Sequence, residues 1–228
     1  PCWPMRSSTM SARRIAIIAT AVVGIAALVG AVAYFMPIFK VQNFSIRGQH
    51  NTSAEDIQSA THISIGANLM RIDAPSAAHS VAQLPWVDKA TVTREFPNTV
   101  DVEVQERTAA LYVKRDDGEH LIDEKGKPFI IDAPPEGTVE ITETNEDDQK
   151  LFADAISVLK SLDDTSRAAV ARIKAPSQYE FSLITHDDRE IYWGAPENNH
   201  DKAVATKTVL QREGAYWNVS APGLVTTR

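Results

Sequence analysis

Cysteine is almost absent from this sequence. The one cysteine, Cys2, stands near the N-terminus, so no disulfide can form within the remainder of the chain. Residues 40–228 are nevertheless numerous enough to bury one or two hydrophobic cores without covalent cross-links. We therefore expect a fold that is stabilised by packing alone.

The sequence also lacks the patterns that carry most enzyme chemistry. Its six histidines occur singly, without the close pairing that a zinc or iron site needs. No serine stands in a Gly-x-Ser-x-Gly turn, and each glycine outside the apolar segment fits a turn better than a phosphate-binding loop. We expect no metal, no cofactor and no catalytic centre, which favours binding over catalysis.

Residues 15–39 contain no charged side chain, and Arg14 and Lys40 flank this segment. A helix over residues 15–36 would cross a hydrocarbon core of ~30 Å at roughly 1.5 Å per residue, and Pro37 would end it. We predict a tail over residues 1–14 and a transmembrane helix over residues 15–37. A cleaved signal peptide is the alternative, although its apolar region is usually only about 7–15 residues long.

The flanking charges predict the orientation of this helix. Arg6, Arg13 and Arg14 precede it without any acid, and short basic segments stay in the cytoplasm. All 30 acidic residues follow the helix, so the outer part of the chain is strongly acidic. This net charge argues against nucleic acid and against anionic lipid as partners.

Residues 41–107 predict a first domain in the order strand, helix, helix, strand, strand. Thr52 or Ser53 can cap the first helix, and Pro75 suits the first turn of the second. Apolar residues flank the turn Pro97-Asn98-Thr99 in a pattern typical of a β-hairpin, namely Ala90, Val92 and Phe96 before it and Val100, Val102 and Val104 after it. We expect one antiparallel sheet of three strands with two helices on one face.

Residues 108–228 predict a β-rich second domain with two helices, near residues 146–162 and 199–212. Short alternating segments separated by turn residues indicate the strands, and the last of them begins at Tyr216. The whole chain is therefore of the α+β class, preceded by one transmembrane helix.

The motif residues of the first domain are Pro85, Trp86, Arg94, Phe96, Pro97, Glu106 and Arg107. Further motifs are Phe44-x-Ile46-x-Gly48 before them and Leu121-Ile122-Asp123-x-x-Gly126 and Asn218-Val219-Ser220 after them. Together these motifs resemble the FtsQ/DivIB family of bacterial cell-division proteins, whose membrane-proximal domain is of the POTRA type. Arg94 and Glu106 could form a salt bridge across the hairpin or contact a partner.

The resemblance implies a non-enzymatic scaffold and regulator of the divisome at the division septum. Such a protein spans the bacterial plasma membrane once, with a cytoplasmic N-terminus and extracytoplasmic C-terminal domains. It binds FtsB and FtsL and links them to the enzymes of septal peptidoglycan synthesis.

In this family FtsB adds a strand to the far end of the β domain, which requires an exposed sheet edge. The candidate contact positions are Tyr216, Trp217, Asn218, Val219, Ser220, Ala221, Gly223, Leu224 and Val225. Burial of Tyr216 and Trp217 against the last helix is the alternative for those two side chains.

Two other functions remain open at this stage. A membrane-anchored POTRA protein could handle polypeptides or take part in secretion, with exposed strand edges binding client chains. An anchored envelope enzyme acting on peptidoglycan would need a catalytic group, and the sequence singles out none.

Overall fold

A computed structural model describes residues 12–35, 39–144 and 148–227 of the protein. The first helix, α1 (Ala12–Phe35), contains an apolar window over Ile15–Val32 that is long enough to cross a membrane and is not buried inside the protein. The expected helix end at residues 36–37 and most of the predicted tail lie outside the described residues. The chain divides into two compact units, with the boundary between Gln105 and Glu106.

The first unit contains the expected order of elements. They are β1 (Asn43–Arg47), α2 (Ala54–Ala60), a short 3-10 helix (Leu69–Arg71), α3 (Ala74–Val81), β2 (Val87–Glu95) and β3 (Thr99–Glu106). Ser53 caps α2, because its Oγ accepts the Asp56 N–H at 3.0 Å, and Asp73 caps α3 in the same way through Ser76.

The sheet of the first unit is mixed, with the strand order β1-β3-β2. β1 runs parallel to β3, with Phe44 opposite Val100 and Ile46 opposite Val102. The expectation of a wholly antiparallel sheet is therefore wrong. After β1, the two helices lead the chain to the start of β2 at the end of the sheet where β1 finished, so β2 runs opposite to β1. The hairpin then reverses the chain, and β3 runs parallel to β1.

The core of the first unit lies between this sheet and its helices. Ile57 of α2 and Val81 of α3 are fully buried with Val100 and Val102 of β3. Every second residue of β3 points to this core, which gives the strand one buried and one wet face.

The second unit is built on a sheet of nine strands. In chain order these are β4 (Ala109–Arg115), β5 (Gly118–Asp123), β6 (Pro128–Ile131), β7 (Val139–Thr142), β8 (Val170–Ser177), β9 (Glu180–Thr185), β10 (Glu190–Gly194), β11 (Tyr216–Asn218) and β12 (Thr226–Thr227). Their order in the sheet is β12-β11-β10-β9-β8-β7-β4-β5-β6. β7 pairs in parallel with both β4 and β8 and so joins two antiparallel groups.

Three helices accompany this sheet: α4 (Gln149–Ser161), α5 (Asp164–Ala169) and α6 (Asn199–Leu210). α4 and α6 correspond to the two predicted helices, and the short α5 is additional. Asp148 caps α4 by accepting the N–H groups of Lys150 and Leu151, both at 3.0 Å. Phe152, Phe181 and Trp193 are fully buried in the core between helices and sheet.

Candidate functional site

β11 is the strand next to the end of the nine-stranded sheet, and it lies parallel to β10. Ile191 stands opposite Trp217, and Tyr192 opposite Asn218. The Val219 N–H donates to the Tyr192 carbonyl at 2.9 Å, which extends this pairing beyond the strand itself. One side of β11 is therefore occupied by the body of the sheet.

Trp217 and Val219 are core residues. They are 6% and 0% exposed, and both belong to the hydrophobic core of the second unit. The indole packs against Gly214, where an added Cβ would stand only 2.9 Å from Trp217 Nε1. The sequence left open whether Tyr216 and Trp217 are buried or contact a partner. Trp217 is buried, whereas Tyr216 is half-buried.

After β11 the chain turns back and covers the other side of the strand. The Asn218 Oδ1 accepts both the Ser220 N–H at 2.9 Å and the Ser220 hydroxyl at 2.7 Å. The tail then returns as β12, antiparallel to β11, with Trp217 opposite Thr227. The Thr227 hydroxyl donates to the Tyr216 carbonyl at 2.9 Å, so β12 rather than β11 is the terminal strand of this edge.

The connection between β11 and β12 presents apolar surface. Leu224 is 74% exposed, and Ala221 and Gly223 are also exposed. Val225 is half-buried and packs against the core. Of the nine predicted contact positions, Trp217 and Val219 are buried, Ala221, Gly223 and Leu224 are exposed, and the other four are half-buried.

A groove of about 530 Å³ runs between this tail and α6. Pro222, Gly223 and Val225 form one wall, and Val204 and Val209 belong to the other. Val204 is 57% exposed although it lies on a helix that packs on the sheet. The sequence analysis did not single out this groove, and Val204 within the polar pattern of α6 was the only signal of it.

Polar contacts from buried side chains fix α6, the helical wall of the groove. Lys202 is 4% exposed, and its Nζ donates to the Ala195 carbonyl at 2.7 Å. Burial lowers the pKa of Lys202 from its ordinary value. The indole N–H of Trp193 donates to Asn199 Oδ1 at 3.0 Å, which ties the start of the helix to β10.

An ion pair links α6 to the N-cap of α5. Lys207 Nζ lies 2.8 Å from Asp163 Oδ2. Hydrogen bonds from Lys207 and from Ser166 hold the pKa of Asp163 at about 2. This carboxylate therefore caps one helix and holds the adjacent one.

The motif residues of the first unit differ in their burial. Trp86 is 8% exposed, whereas Pro85 and Phe96 are exposed, and the Phe96–Pro97 peptide is cis. Pro85 and Trp86 directly precede β2, and Phe96 and Pro97 directly follow it at the hairpin turn.

The expected salt bridge between Arg94 and Glu106 is wrong. Arg94 lies next to the hairpin turn at the end of β2, whereas Glu106 ends β3, so the two occupy opposite ends of the hairpin. Arg94 Nη2 instead donates to the Ile72 carbonyl at 2.7 Å. Spacing from the turn at Pro97-Asn98-Thr99 already excludes this pair, because Arg94 stands three residues before the turn and Glu106 seven residues after it.

Arg107 forms a buried ion pair that the sequence analysis did not predict. Its Nη1 donates to Asp123 Oδ2 at 2.8 Å, with 17% and 4% of the two side chains exposed. Asp123 Oδ1 also accepts the N–H groups of Lys125 and Lys127, each at 2.9 Å. Within residues 15–32, 39–144 and 148–227, no three His, Cys, Asp or Glu side chains gather as a metal site would require.

Known proteins resemble this chain over most of its length. A family model described as "POTRA domain, FtsQ-type" matches residues 39–107. The cell division protein FtsQ of Corynebacterium glutamicum is 43% identical over 222 residues, which cover 96% of this chain and 100% of that protein. FtsQ of Mycobacteroides abscessus is 34% identical, and the match covers 90% of this chain and 66% of that protein.

Two further comparisons concern a more distant relative and a solved structure. FtsQ of Mycobacterium tuberculosis is 30% identical over 94% of this chain and 68% of that protein. The major extracytoplasmic domain of the cell division protein DivIB from Geobacillus stearothermophilus is 17% identical, with a TM-score of 0.36 over 48% of this chain and 98% of that one.

Proposed function

The chain belongs to the FtsQ family of cell-division proteins, and from this premise we propose that it is a non-enzymatic scaffold and regulator of the divisome. α1 anchors it once in the plasma membrane, with the N-terminus in the cytoplasm and both compact units outside. It acts at the division septum. Family relatives that match nearly the whole chain support this role, and the apolar α1 supports the anchor.

The partner-binding site of this proposal is the sheet edge formed by β11, β12 and the tail between them. FtsB supplies a strand that continues the sheet at this edge, where backbone pairing provides affinity and side chains provide specificity. Leu224, which is 74% exposed, is the observation that carries the proposal. A large apolar side chain beside a terminal strand suits an interface.

The short length of β12 allows the partner strand to be added in two ways. β12 pairs with β11 at two positions only, and each hydrogen bond contributes about 0.5–1.5 kcal/mol. A longer partner strand can therefore pair beside β12 or replace it against β11. In both cases Trp217 and Val219 remain in the core and support the edge from beneath.

The groove between α6 and the tail receives the part of FtsB or FtsL that flanks the added strand. Its exposed Val204 and half-buried Val225 offer apolar contacts next to the edge. Binding at this site places both partners near the enzymes of septal peptidoglycan synthesis. The first unit, with its POTRA-type motif, directs the protein to the septum.

Complementation tests this function in the protein's own bacterium. Native protein is depleted, and the full chain, a Leu224→Asp variant or a Tyr179→Asp variant is supplied with a fluorescent tag. Tyr179 is the matched control, because it is 71% exposed but lies in the turn between β8 and β9. Recovery of FtsB with each tagged chain is measured together with septation and midcell placement.

The full chain and Tyr179→Asp should restore division and retain FtsB. Leu224→Asp should reach midcell, lose FtsB and leave cells unable to divide. Normal division of depleted cells would refute the division role and favour polypeptide handling instead. Retention of FtsB by Leu224→Asp, with normal septation, would refute the proposed edge while leaving the scaffold role intact.

A further inference from the structure

Exposed apolar side chains of the first unit are concentrated at one end. Across residues 39–105, which the structure describes throughout, the exposed large hydrophobic side chains are Ile65 and Phe96, at 58% and 52%. The Phe96 ring centroid lies 5.2 Å from that of Phe39, with an angle of 86° between the ring planes. Phe96 at the hairpin turn therefore lies beside the first described residue after α1.

Ile65 lies beside the same part of the chain. The residue after it, Gly66, donates its N–H to the Val41 carbonyl at 2.8 Å, and Val41 donates to Ala67 at 2.9 Å. The Leu69 N–H donates to the Phe39 carbonyl at 2.8 Å. The loop carrying Ile65 is thus hydrogen-bonded to the segment that follows the membrane helix.

Basic side chains accompany these apolar ones. Lys40 is exposed, and Arg94 extends across to the Ile72 carbonyl. Across residues 39–144 and 148–227, neither cation forms an ion pair, and Glu95 is the acid next to Arg94 in sequence. Asp73 follows Ile72 in the chain, so acids lie close to Arg94, whereas Lys40 has no acid beside it in sequence.

The length of the connecting chain keeps this end close to the membrane. Three residues separate Phe35, the end of α1, from Phe39, so the two lie within about 14 Å of each other at most. The headgroup region adds roughly 5–8 Å on each side of the hydrocarbon core. Phe39 and the residues around it are thus within reach of lipid headgroups.

We propose that Phe39, Lys40, Ile65, Arg94 and Phe96 form a membrane-facing rim that docks on the headgroup region of the anionic bilayer holding α1. This inference rests on the proposed membrane anchor. The exposed Phe96 and Ile65 enter the interface, with the half-buried Phe39 ring supporting Phe96 from the core side, and the two cations meet lipid phosphates. Docking holds the first unit against the bilayer through a single face.

Fluorescence quenching in liposomes tests the rim with the full chain. In a Cys2→Ser background, a small fluorophore is attached at Ile65→Cys or Phe96→Cys, and at Lys89→Cys as the matched control. Lys89 is exposed on β2 and lies about 24 Å from Phe96 along the strand. The liposomes contain phosphatidylcholine with or without phosphatidylglycerol, and some lipids carry a nitroxide on the headgroup.

Quenching at positions 65 and 96 should be several-fold stronger than at position 89 and should increase with phosphatidylglycerol. Adding Lys40→Gln should reduce that increase without changing the circular dichroism spectrum. Equal quenching at all three positions would overturn the rim. If quenching at positions 65 and 96 does not change with the phosphatidylglycerol content, the proposed preference of the rim for anionic lipid is refuted.

A probe within α1 separates this inference from the anchor on which it rests. Leu28→Cys should be quenched by lipids that carry the nitroxide deep in the acyl chain. If it is not quenched, the anchor fails and the rim fails with it. If it is quenched while positions 65 and 96 behave like position 89, the anchor stands and only the rim is refuted.

Discussion

Replacing Arg107 by methionine should strongly destabilise the second unit. The change removes the cation from a buried pair but keeps a long apolar stem. Asp123 would keep its two backbone N–H donors at 2.9 Å and lose the guanidinium at 2.8 Å. The Arg107 guanidinium also lies 6.0 Å from the centre of the Phe129 ring, a contact that methionine cannot reproduce electrostatically.

The expected loss follows from the burial of the two groups. Removing one partner of a buried ion pair costs about 3–5 kcal/mol, because the other charge stays desolvated. Since 17% of the Arg107 side chain is exposed and Asp123 keeps two donors, we expect a loss just below this range, about 2–3 kcal/mol. With a urea dependence of about 1–3 kcal/mol per molar, the midpoint should fall by about 0.7–3 M.

Equilibrium urea unfolding of the full chain in detergent measures this change. Trp193 and Trp217 both lie in the second unit, so replacing Trp3 and Trp86 by phenylalanine leaves fluorescence that reports that unit alone. Each variant is compared with the parent chain that carries the same two phenylalanines.

Arg172→Met is the matched control. Arg172 pairs with Asp188 at 3.4 Å, but 44% and 86% of the two side chains are exposed, so the loss should stay below about 1 kcal/mol. Equal losses from the two variants, or a loss below about 0.5 kcal/mol for Arg107→Met, would refute the argument from burial.

Three further outcomes are expected. Gly214→Ala should lower the melting temperature of the second unit and shift Trp217 emission to longer wavelength, because the new Cβ would stand 2.9 Å from the indole nitrogen; unchanged emission would contradict the contact. Ile57→Ala in the fully buried core of the first unit should cost about 2–5 kcal/mol in chemical unfolding, and a loss under about 0.5 kcal/mol would show that the site is not packed. Asp163 has a folded pKa of about 2, below its ordinary value of 3.8, so its contribution to stability is present above pH 3.8 and lost as pH falls through about 2. The difference in melting temperature between the parent chain and Asp163→Asn should therefore narrow over that range, and a constant difference would contradict it.

The sequence predicted the first unit well because its elements carry local signals. The valines of β3 alternate with period two after the turn, and Pro75 marks the start of α3, which runs over Ala74–Val81. Alternation identifies the buried face of β1 but does not identify its neighbour or direction. The parallel pairing of β1 with β3 therefore could not be predicted.

The edge of the second unit was predicted only in part, for a similar reason. Trp217 of β11 and Val219, which directly follows that strand, are two residues apart and face the same core, a pattern that was available in the sequence. β12 consists of Thr226 and Thr227, too few residues to show any alternation. Its position depends on contacts with β11 that no local pattern encodes.

The strand order also sets a limit on mechanical strength. With about 4.8 Å between neighbouring strands, β4, which receives the chain from the first unit, lies about 24 Å from β11 along the sheet. A pulling force between the membrane anchor and a partner beside β12 would act on every strand pairing from β4 to β12. The pairing with the shortest ladder of hydrogen bonds would separate first. Two ladders share this shortest length, β11 with β12 and β4 with β7, and of these only the first joins a strand at the end of the sheet, β12, which no second strand holds. A partner beside β12 would therefore be pulled away with the tail, whereas one that replaces β12 against β11 would withstand a larger force.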